Sequence, residues 1–354
     1  MLPHLFIFCV FFCSYDAKLS TAASAGDSLL GNALATSGVT TVPRWGYREK
    51  ADELTPLTWQ VQYPVCGTGE RQSPIDIESN AVQVDRGLQP IRFTNYQVEP
   101  VDAVWQVVNN GQVVQLSSTG FPKTATPGLT DGSFNADYEF LQLHFHWGAS
   151  DDLGSEHVID GRHYPIELHI VHQKVRDTNP QDSTGLTVLG VLFEVAPTGS
   201  AQAVQNPNFQ LLMQAVGAVV DPGPSINMTL RGFSLDDLLP TSLKGSTMYS
   251  DAYYRYLGSL TTPPCSETVV WSVLKDHLFI TEEQMQTFRR LRKRAGFEGP
   301  DNRLSGNFRP VQRLNGRIIR MYDPSGMIMT SNPRPGFNRV FPSWWRLVEY
   351  PRNG

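Results

Sequence analysis

Segments in which apolar and polar residues alternate recur along most of the chain. They include residues 105–108, 113–116 and 188–195, and turns rich in Gly, Pro and Asn separate them. A period of two residues is that of a β-strand with one buried face. Strong helical periodicity is confined to short pieces at 208–216 and 282–295. The pattern therefore predicts a mainly β (α+β) fold, in which short peripheral helices accompany a mostly antiparallel sheet.

Composition changes only near the two ends, so the pattern between them predicts a single domain. Residues 5–12 are almost wholly apolar but fewer than the roughly 20 that span a membrane, which is typical of a secretory signal peptide. Cleavage after Ala17 and cleavage after Ala25 both fit. No later stretch is apolar enough to cross a membrane, so we expect an exported protein without a membrane span. We divide the chain into a signal peptide and leader (1–25), a flexible leader (26–43), one globular domain (44–322) and a C-terminal tail (323–354).

Charge argues against nucleic acid as a partner. The chain has 354 residues, 18% of them charged, and a formal net charge of −5, which is not that of a general nucleic-acid binder. One basic run, 289–294, follows a segment with Thr281 and Gln284 at the spacing of a capping box, which predicts a helix that stops near Gly296. A solvated helical face explains this run better than a nucleic-acid or heparin site.

Cysteine usage fits export. Cys9 and Cys13 lie in the predicted signal peptide, which leaves Cys66 and Cys265 as an even pair. Two buried free thiols are the alternative, but an oxidising compartment favours a disulfide between them. Asn227 begins the one Asn-X-Ser/Thr sequon of the chain, and we expect it in a surface loop that can carry a glycan.

Residues 141–147 form the first candidate for chemistry. Successive strand side chains point to opposite faces, so Gln142, His144 and His146 share one face. The apolar residues of the segment share the other face: Leu141, Leu143, Phe145 and Trp147. A single His-x-His pair is more often an ordinary polar strand face than a metal site.

A second strand changes that interpretation. In residues 167–171, Glu167 and His169 share one face. If the two strands are neighbours, three imidazoles converge, and three nitrogen ligands with an open fourth position are typical of catalytic zinc. Gln142 can then accept a hydrogen bond from His144, and Glu167 one from His169, which fixes the ring orientation. Glu167 can instead, or in addition, pair with His157.

These segments belong to a larger set of motifs, 73–77 (SPIDI), 144–148 (HFHWG), 155–157 (SEH), 167–172 (ELHIVH) and 258–264 (GSLTTPP). In order and spacing they resemble alpha-class carbonic anhydrases of the secreted type, from Trp45 to about Ile319. The resemblance implies a catalytic domain with a twisted sheet of about ten strands. It also implies reversible hydration of carbon dioxide to bicarbonate and a proton, by attack of a zinc-bound hydroxide at one Zn²⁺ site.

The resemblance also assigns roles. Thr261 accepts a hydrogen bond from the hydroxide and donates one to Glu156. Thr262 helps to hold bicarbonate, Asn307 supplies a main-chain carbonyl to His146, and Cys66 and Cys265 occupy the positions of the disulfide in extracellular members. An apolar wall holds carbon dioxide, and His157 is structural. The wall comprises Val171, Val188, Leu260, Val269 and Trp271.

One position departs from the pattern of the fast enzymes of this family. Gln112 stands where they carry a proton-shuttling histidine, and an amide cannot titrate. We expect Tyr47 and Asn110 to hold ordered water, with turnover limited by proton transfer to buffer. A non-catalytic binding module is the alternative function, although such modules typically lack one or more of the zinc histidines.

Overall fold

A computed structural model gives the fold of residues 44–47, 53–176, 182–201, 209–240, 252–294 and 302–324. The predicted signal peptide and leader (1–25 and 26–43) lie outside the described residues, as does the predicted tail beyond residue 324.

The regular elements are mostly short strands. Within the described residues, short 3₁₀ turns occur at Trp59–Val61, Val101–Ala103 and Leu235–Leu238. The three α-helices within the described ranges are α1 (Val65–Thr68), α2 (Phe209–Gly217) and α3 (Glu282–Arg289). The strands are β1 (Arg44–Trp45), β2 (Glu53–Leu54), β3 (Asp76–Ile77), β4 (Gln83–Val84), β5 (Ile91–Thr94), β6 (Val104–Asn109), β7 (Val114–Ser117), β8 (Gly128–Asp131), β9 (Tyr138–Trp147), β10 (Val158–Ile159), β11 (Ile166–Lys174), β12 (Leu186–Val195), β13 (Ile226–Thr229), β14 (Tyr253–Gly258), β15 (Val269–Leu274), β16 (Leu278–Ile280) and β17 (Arg320–Tyr322).

One large sheet organises the molecule. Ten strands follow one another in the order β13-β6-β7-β9-β11-β12-β15-β14-β17-β4, and β5, β8 and β16 join at its sides. Its ladders are antiparallel except for β12 with β15, β12 with β16 and β17 with β4. The prediction of a mainly β fold around about ten mostly antiparallel strands is therefore confirmed.

Each face of the central strands packs against its own apolar cluster. One cluster joins the β9 and β11 side chains Phe145 and Leu168 to Leu212 of α2 and Phe288 of α3. The opposite cluster lies on the histidine face and includes Val171 and Trp271. Because β9 and β11 are buried on both faces, polar side chains there need partners within the protein.

The predicted alternation is wrong at Leu141. The register of β9 against β11 shifts between Val171 and His172, and β9 has one extra residue at this point. Leu141 therefore packs in the cluster on the histidine face, whereas Leu143 lies in the opposite cluster. A β-bulge of this kind reverses the side-chain alternation along a strand.

Helix α3 begins where predicted but ends early. Thr281 accepts from the Gln284 backbone N–H, and the Gln284 side chain completes the capping box. The helix ends at Arg289 rather than near Gly296, because tertiary pairing uses the backbone that follows: the N–H groups of Arg292 and Lys293 donate to the carbonyls of Val220 and Asn302. Three arginines of the basic run form ion pairs: Arg289 with Asp151, Arg292 with Asp221 and Arg294 with Glu53.

Candidate metal centre

The register of two neighbouring strands brings the three candidate ligands together. His144 on β9 stands directly opposite His169 on β11, and His146 stands opposite Glu167. One ligand nitrogen from each of His144, His146 and His169 lies within 4.8 Å of the other two. His146 and His169 are buried, whereas His144 is half-buried.

Each imidazole has its other ring nitrogen beside an oxygen acceptor. The pairs are His144 Nδ1 with Gln142 Oε1 at 2.9 Å, His146 Nδ1 with the Asn307 carbonyl at 2.7 Å, and His169 Nε2 with Glu167 Oε1 at 2.8 Å. These contacts fix the orientation of the rings. The nitrogens left for a shared ligand are Nε2, Nε2 and Nδ1.

The geometry of these nitrogens fits zinc. His169 Nδ1 lies 3.2 Å from His144 Nε2. In a tetrahedral zinc site with Zn–N distances of 2.0–2.1 Å, two nitrogen ligands stand roughly 3.3 Å apart. His146 Nε2 is buried and has no hydrogen-bond partner among the described residues. A cation held by three nitrogens satisfies this otherwise unpaired atom.

Burial also favours the protonation state that binds a metal. It lowers the pKa of His144 well below the usual value, with His146 and His169 adding to the effect. Burial likewise lowers the pKa of His146 to about 3 and lowers the pKa of His169. All three side chains are therefore neutral at physiological pH, as metal ligands must be.

The buried Glu167 carboxylate makes four polar contacts beside the histidines. Its Oε2 accepts from the backbone N–H groups of Glu156 and His157, and its Oε1 lies 2.6 Å from His157 Nδ1 and 2.8 Å from His169 Nε2. Burial raises the pKa of Glu167, but the two histidines more than offset this, and the net pKa is well below the usual value. Glu167 thus contacts both His169 and His157, the two partners that the sequence suggested. His157 Nε2 in turn lies 2.7 Å from Tyr256 Oη.

Glu156 is a second buried carboxylate beside the histidines. Its Oε1 accepts from the Arg309 backbone N–H at 2.8 Å and lies 3.5 Å from His146 Nδ1. Its Oε2 has no hydrogen bond of regular geometry to the described residues. Burial raises the pKa of Glu156 well above its usual value, and interaction with the Thr261 side chain acts to lower it. The predicted Thr261–Glu156 pair is thus brought together.

The apolar residues assigned to the substrate wall lie in one cluster. Val171, Val188, Val269 and Trp271 are buried members of the cluster on the histidine face, and Leu260 packs against it. The Trp271 ring centroid lies 4.8 Å from that of His169. Thr262, on the same loop as Leu260, is half-buried, and its carbonyl accepts from the Cys265 N–H.

Three further predicted residues lie near the turn between β6 and β7 or at the N-terminal edge. Asn110 Oδ1 accepts from the backbone N–H groups of Gln112 and Val113, so this acceptor is used within the turn. The Gln112 side chain donates to the Trp45 carbonyl at 3.0 Å. The Tyr47 hydroxyl is buried without a hydrogen-bond partner in the described part of the chain.

Two further sequence predictions concern the cysteine pair and the glycosylation sequon. Cys66 and Cys265 form a disulfide, as predicted. Asn227 is exposed but lies within strand β13, so its predicted placement in a loop is wrong. Asn227 and Thr229 face solvent while Met228, between them, packs on the core, which is the alternation of a strand with one buried face.

Sequence analysis missed two residues near the site. Leu141 joins the apolar cluster on the histidine face because of the bulge, which an apolar residue in an apolar run does not signal. Arg309 is 1% exposed, and its guanidinium donates to the carbonyls of Cys66 and Ser73 while its N–H holds Glu156. An arginine in a polar loop far along the chain has no distinguishing local pattern.

The relationships of the chain agree with this geometry. The family description for eukaryotic-type carbonic anhydrases matches residues 54–323. Carbonic anhydrase 6 of Canis lupus familiaris is 34% identical over 78% of this chain and 79% of its own length, and carbonic anhydrase 15 of Mus musculus is 34% identical over 78% and 82%. A putative carbonic anhydrase 3 of Caenorhabditis elegans is 32% identical over 78% of this chain and 96% of its own. The chain belongs to the eukaryotic-type (alpha) carbonic anhydrase family, and it has the zinc-binding histidine triad of that family.

The helices of the described residues do not reach the dimensions of a membrane span. None of these helices combines the length and the apolar character that crossing a bilayer requires.

Proposed function

We propose that this chain catalyses the reversible hydration of carbon dioxide to bicarbonate and a proton, with one zinc ion as cofactor. The observation that carries the proposal is the convergence of three neutral imidazoles, each with its other nitrogen held by an oxygen acceptor. His144 and His146 would hold the ion through Nε2, and His169 through Nδ1. When bound, zinc supplies a Lewis acid that lowers the pKa of a coordinated water to about 7.

Thr261 and Glu156 orient the attacking oxygen. The Arg309 N–H donates to Glu156 Oε1, and we assign Oε2, which has no regular hydrogen bond to the described residues, as the acceptor for the Thr261 hydroxyl. The charge of a bound zinc ion favours the ionised, acceptor-only carboxylate although burial alone opposes it. A Thr261 hydroxyl that donates to Glu156 can only accept on its other side, so the reacting oxygen would donate a hydrogen bond to Thr261 and direct a lone pair toward carbon dioxide.

The apolar cluster on the histidine face binds the substrate. Carbon dioxide has no dipole, and an apolar wall beside polar groups is the environment that retains such a molecule. Val171, Val188, Leu260, Val269 and Trp271 form this wall, and Leu141 extends it. Thr262 holds bicarbonate before water replaces it.

Proton release is the slow part of turnover in this proposal. Gln112 has no titratable group, and its amide is tied to the Trp45 carbonyl. The buried Tyr47 hydroxyl and the Asn110 amide group can hold water molecules that carry the proton part of the way. Exchange with an external buffer then completes the transfer.

We also propose that the protein is secreted and carries an N-linked glycan at Asn227. The Cys66–Cys265 disulfide supports an oxidising compartment, and the apolar run 5–12 supports export. The exposed side chains of Asn227 and Thr229 support the glycan.

Stopped-flow measurement of carbon dioxide hydration across an imidazole buffer series tests the proposed function. We expect rapid turnover that rises with buffer concentration and is lost when a chelator removes zinc. Rapid turnover that does not depend on buffer would support the proposed activity but show that a group other than the buffer accepts the proton. A zinc-loaded protein without hydration activity would favour the non-catalytic binding module.

A further inference from the structure

We propose that an N-linked glycan on Asn227 shields the open edge of the central sheet against pairing with a second chain. Strand β13, Ile226–Thr229, is the first strand in the order of the sheet, and within the described residues β6 is its one ladder partner. Among the described residues, none forms a hydrogen bond to the backbone on its other side, and an edge of this kind is a template for an added strand.

The sequence of β13 lacks the usual protection of an edge. It contains no Lys, no other charged residue and no Pro, and Ile226 is 37% exposed. The strand at the opposite end of the order, β4, has two residues, whereas β13 has four. Neither terminal strand contains a charged residue or a proline, so β4 is protected by its shortness, whereas the longer edge strand, β13, is the one that carries the sequon.

The register places the acceptor side chain where a glycan can stand. Asn227 pairs with the exposed Gln106, while Met228 of the same strand packs on the core. Asn227 and Thr229 therefore project together from the solvent side of the edge. A bulky, hydrated glycan at this point excludes the approach of a neighbouring strand.

The same register separates the glycan from the metal centre. Gln106 pairs with Ser117 on β7, and Gln115, two residues earlier, pairs with His144 on β9. Asn227 thus lies on the face of the histidines but three strands away, about 15 Å at the usual strand spacing. Removal of the glycan should alter self-association and leave hydration unchanged.

The inference rests on the proposed export, so the test separates the two. The full chain is produced behind an established secretion signal, and export by its own leader is measured in a parallel culture. Mass spectrometry before and after peptide:N-glycosidase treatment reports the glycan. Thr229→Ser, which keeps the sequon, is the matched control for Asn227→Gln, which removes it. Failure of the native leader alone would contradict export without affecting the result for Asn227.

Self-association is measured by light scattering on concentration of each variant. We expect the wild-type protein and Thr229→Ser to carry the glycan and remain monomeric, and Asn227→Gln to show a several-fold larger fraction above the monomer mass. Adding Ile226→Lys to Asn227→Gln should restore the monomer, because a charge protects an edge without a glycan. Val61→Lys, at a position 76% exposed, should not restore it. The proposal is overturned if Asn227 is unmodified in the exported chain, if Asn227→Gln stays monomeric, or if Val61→Lys rescues equally well.

Discussion

At the scale of single residues, the proposed chemistry depends on the Thr261 hydroxyl, which orients the oxygen that attacks carbon dioxide. Thr261 is buried, and its partner Glu156 is held from the other side by the Arg309 N–H. The orientation of the reacting oxygen therefore depends on this one hydroxyl. A variant that keeps the shape of threonine but lacks the hydroxyl isolates its effect.

Thr261→Val should lower kcat/KM for hydration on the order of 100-fold, because it removes a hydrogen bond that orients the reacting oxygen. Thr261→Ser should retain most of the activity. Stopped-flow kinetics together with zinc analysis check this, and equal zinc content in both variants is required. Equal activity of Thr261→Val and Thr261→Ser would argue against the proposed orientation.

Gln112→His should raise kcat roughly tenfold at low buffer and leave kcat/KM for hydration unchanged, because an imidazole near its pKa relays protons. Gln112→Asn, which cannot titrate, is the control. The buffer dependence of kcat in stopped-flow records distinguishes the two variants. No rise for Gln112→His would show that this position does not limit proton export.

His172 lies on β11, three residues after His169, and its Nε2 is 2.7 Å from the Tyr96 hydroxyl. Burial lowers the pKa of His172 from 6.5 to about 3. The unfolded chain therefore binds this proton at a higher pH than the folded one. The stabilising contribution is present above pH 6.5 and is lost as the pH falls toward 3.

The free energy of unfolding should accordingly decrease as the pH is lowered through this window. His172 should add up to about 1.4 kcal/mol per pH unit to the slope of that decrease. His172→Gln should reduce the slope, whereas Tyr96→Phe should preserve it because the imidazole remains. Urea unfolding at several pH values measures both. A slope in His172→Gln equal to that of the wild-type protein would refute the assignment.

At the scale of elements, helix α3 has eight residues and depends on its first turn. Thr281→Ala removes the capping oxygen and should lower the free energy of unfolding by roughly 1 kcal/mol, whereas Thr281→Ser should be nearly neutral. Denaturant midpoints check this. Unchanged stability of Thr281→Ala would mean that packing of Met285 and Phe288 on the core holds the helix without its cap.

At the scale of the whole molecule, the disulfide links residues separated by 199 positions. Replacing Cys66 and Cys265 together by Ser should lower the free energy of unfolding by about 2–5 kcal/mol, since the unfolded chain loses its longest constraint. Urea titrations of the oxidised protein and of the double variant provide the comparison. Coincident midpoints would show that the bridge contributes nothing to stability.

The fold class and the ligand set followed from local patterns. The apolar segments 105–108, 113–116 and 188–195 predicted strands that are present in β6, β7 and β12, although β12 is buried on both faces rather than on alternate residues. The motifs around His144 and His169 predicted the metal centre because strand periodicity places alternate side chains on one face whatever the surroundings. Thr281 and Gln284 likewise marked the start of α3.

Tertiary structure decided what depends on contacts between distant segments. Local pattern gave no sign of the bulge at Leu141, since an apolar side chain can face either cluster. The end of α3 at Arg289 reflects backbone pairing of later residues with Val220 and Asn302. The burial of Arg309 and the edge position of Asn227 were equally hidden, because a sequence records neither which strand ends a sheet nor which loop covers a carboxylate. The sequence determined which groups could bind and react, and the register of the sheet decided which of them meet.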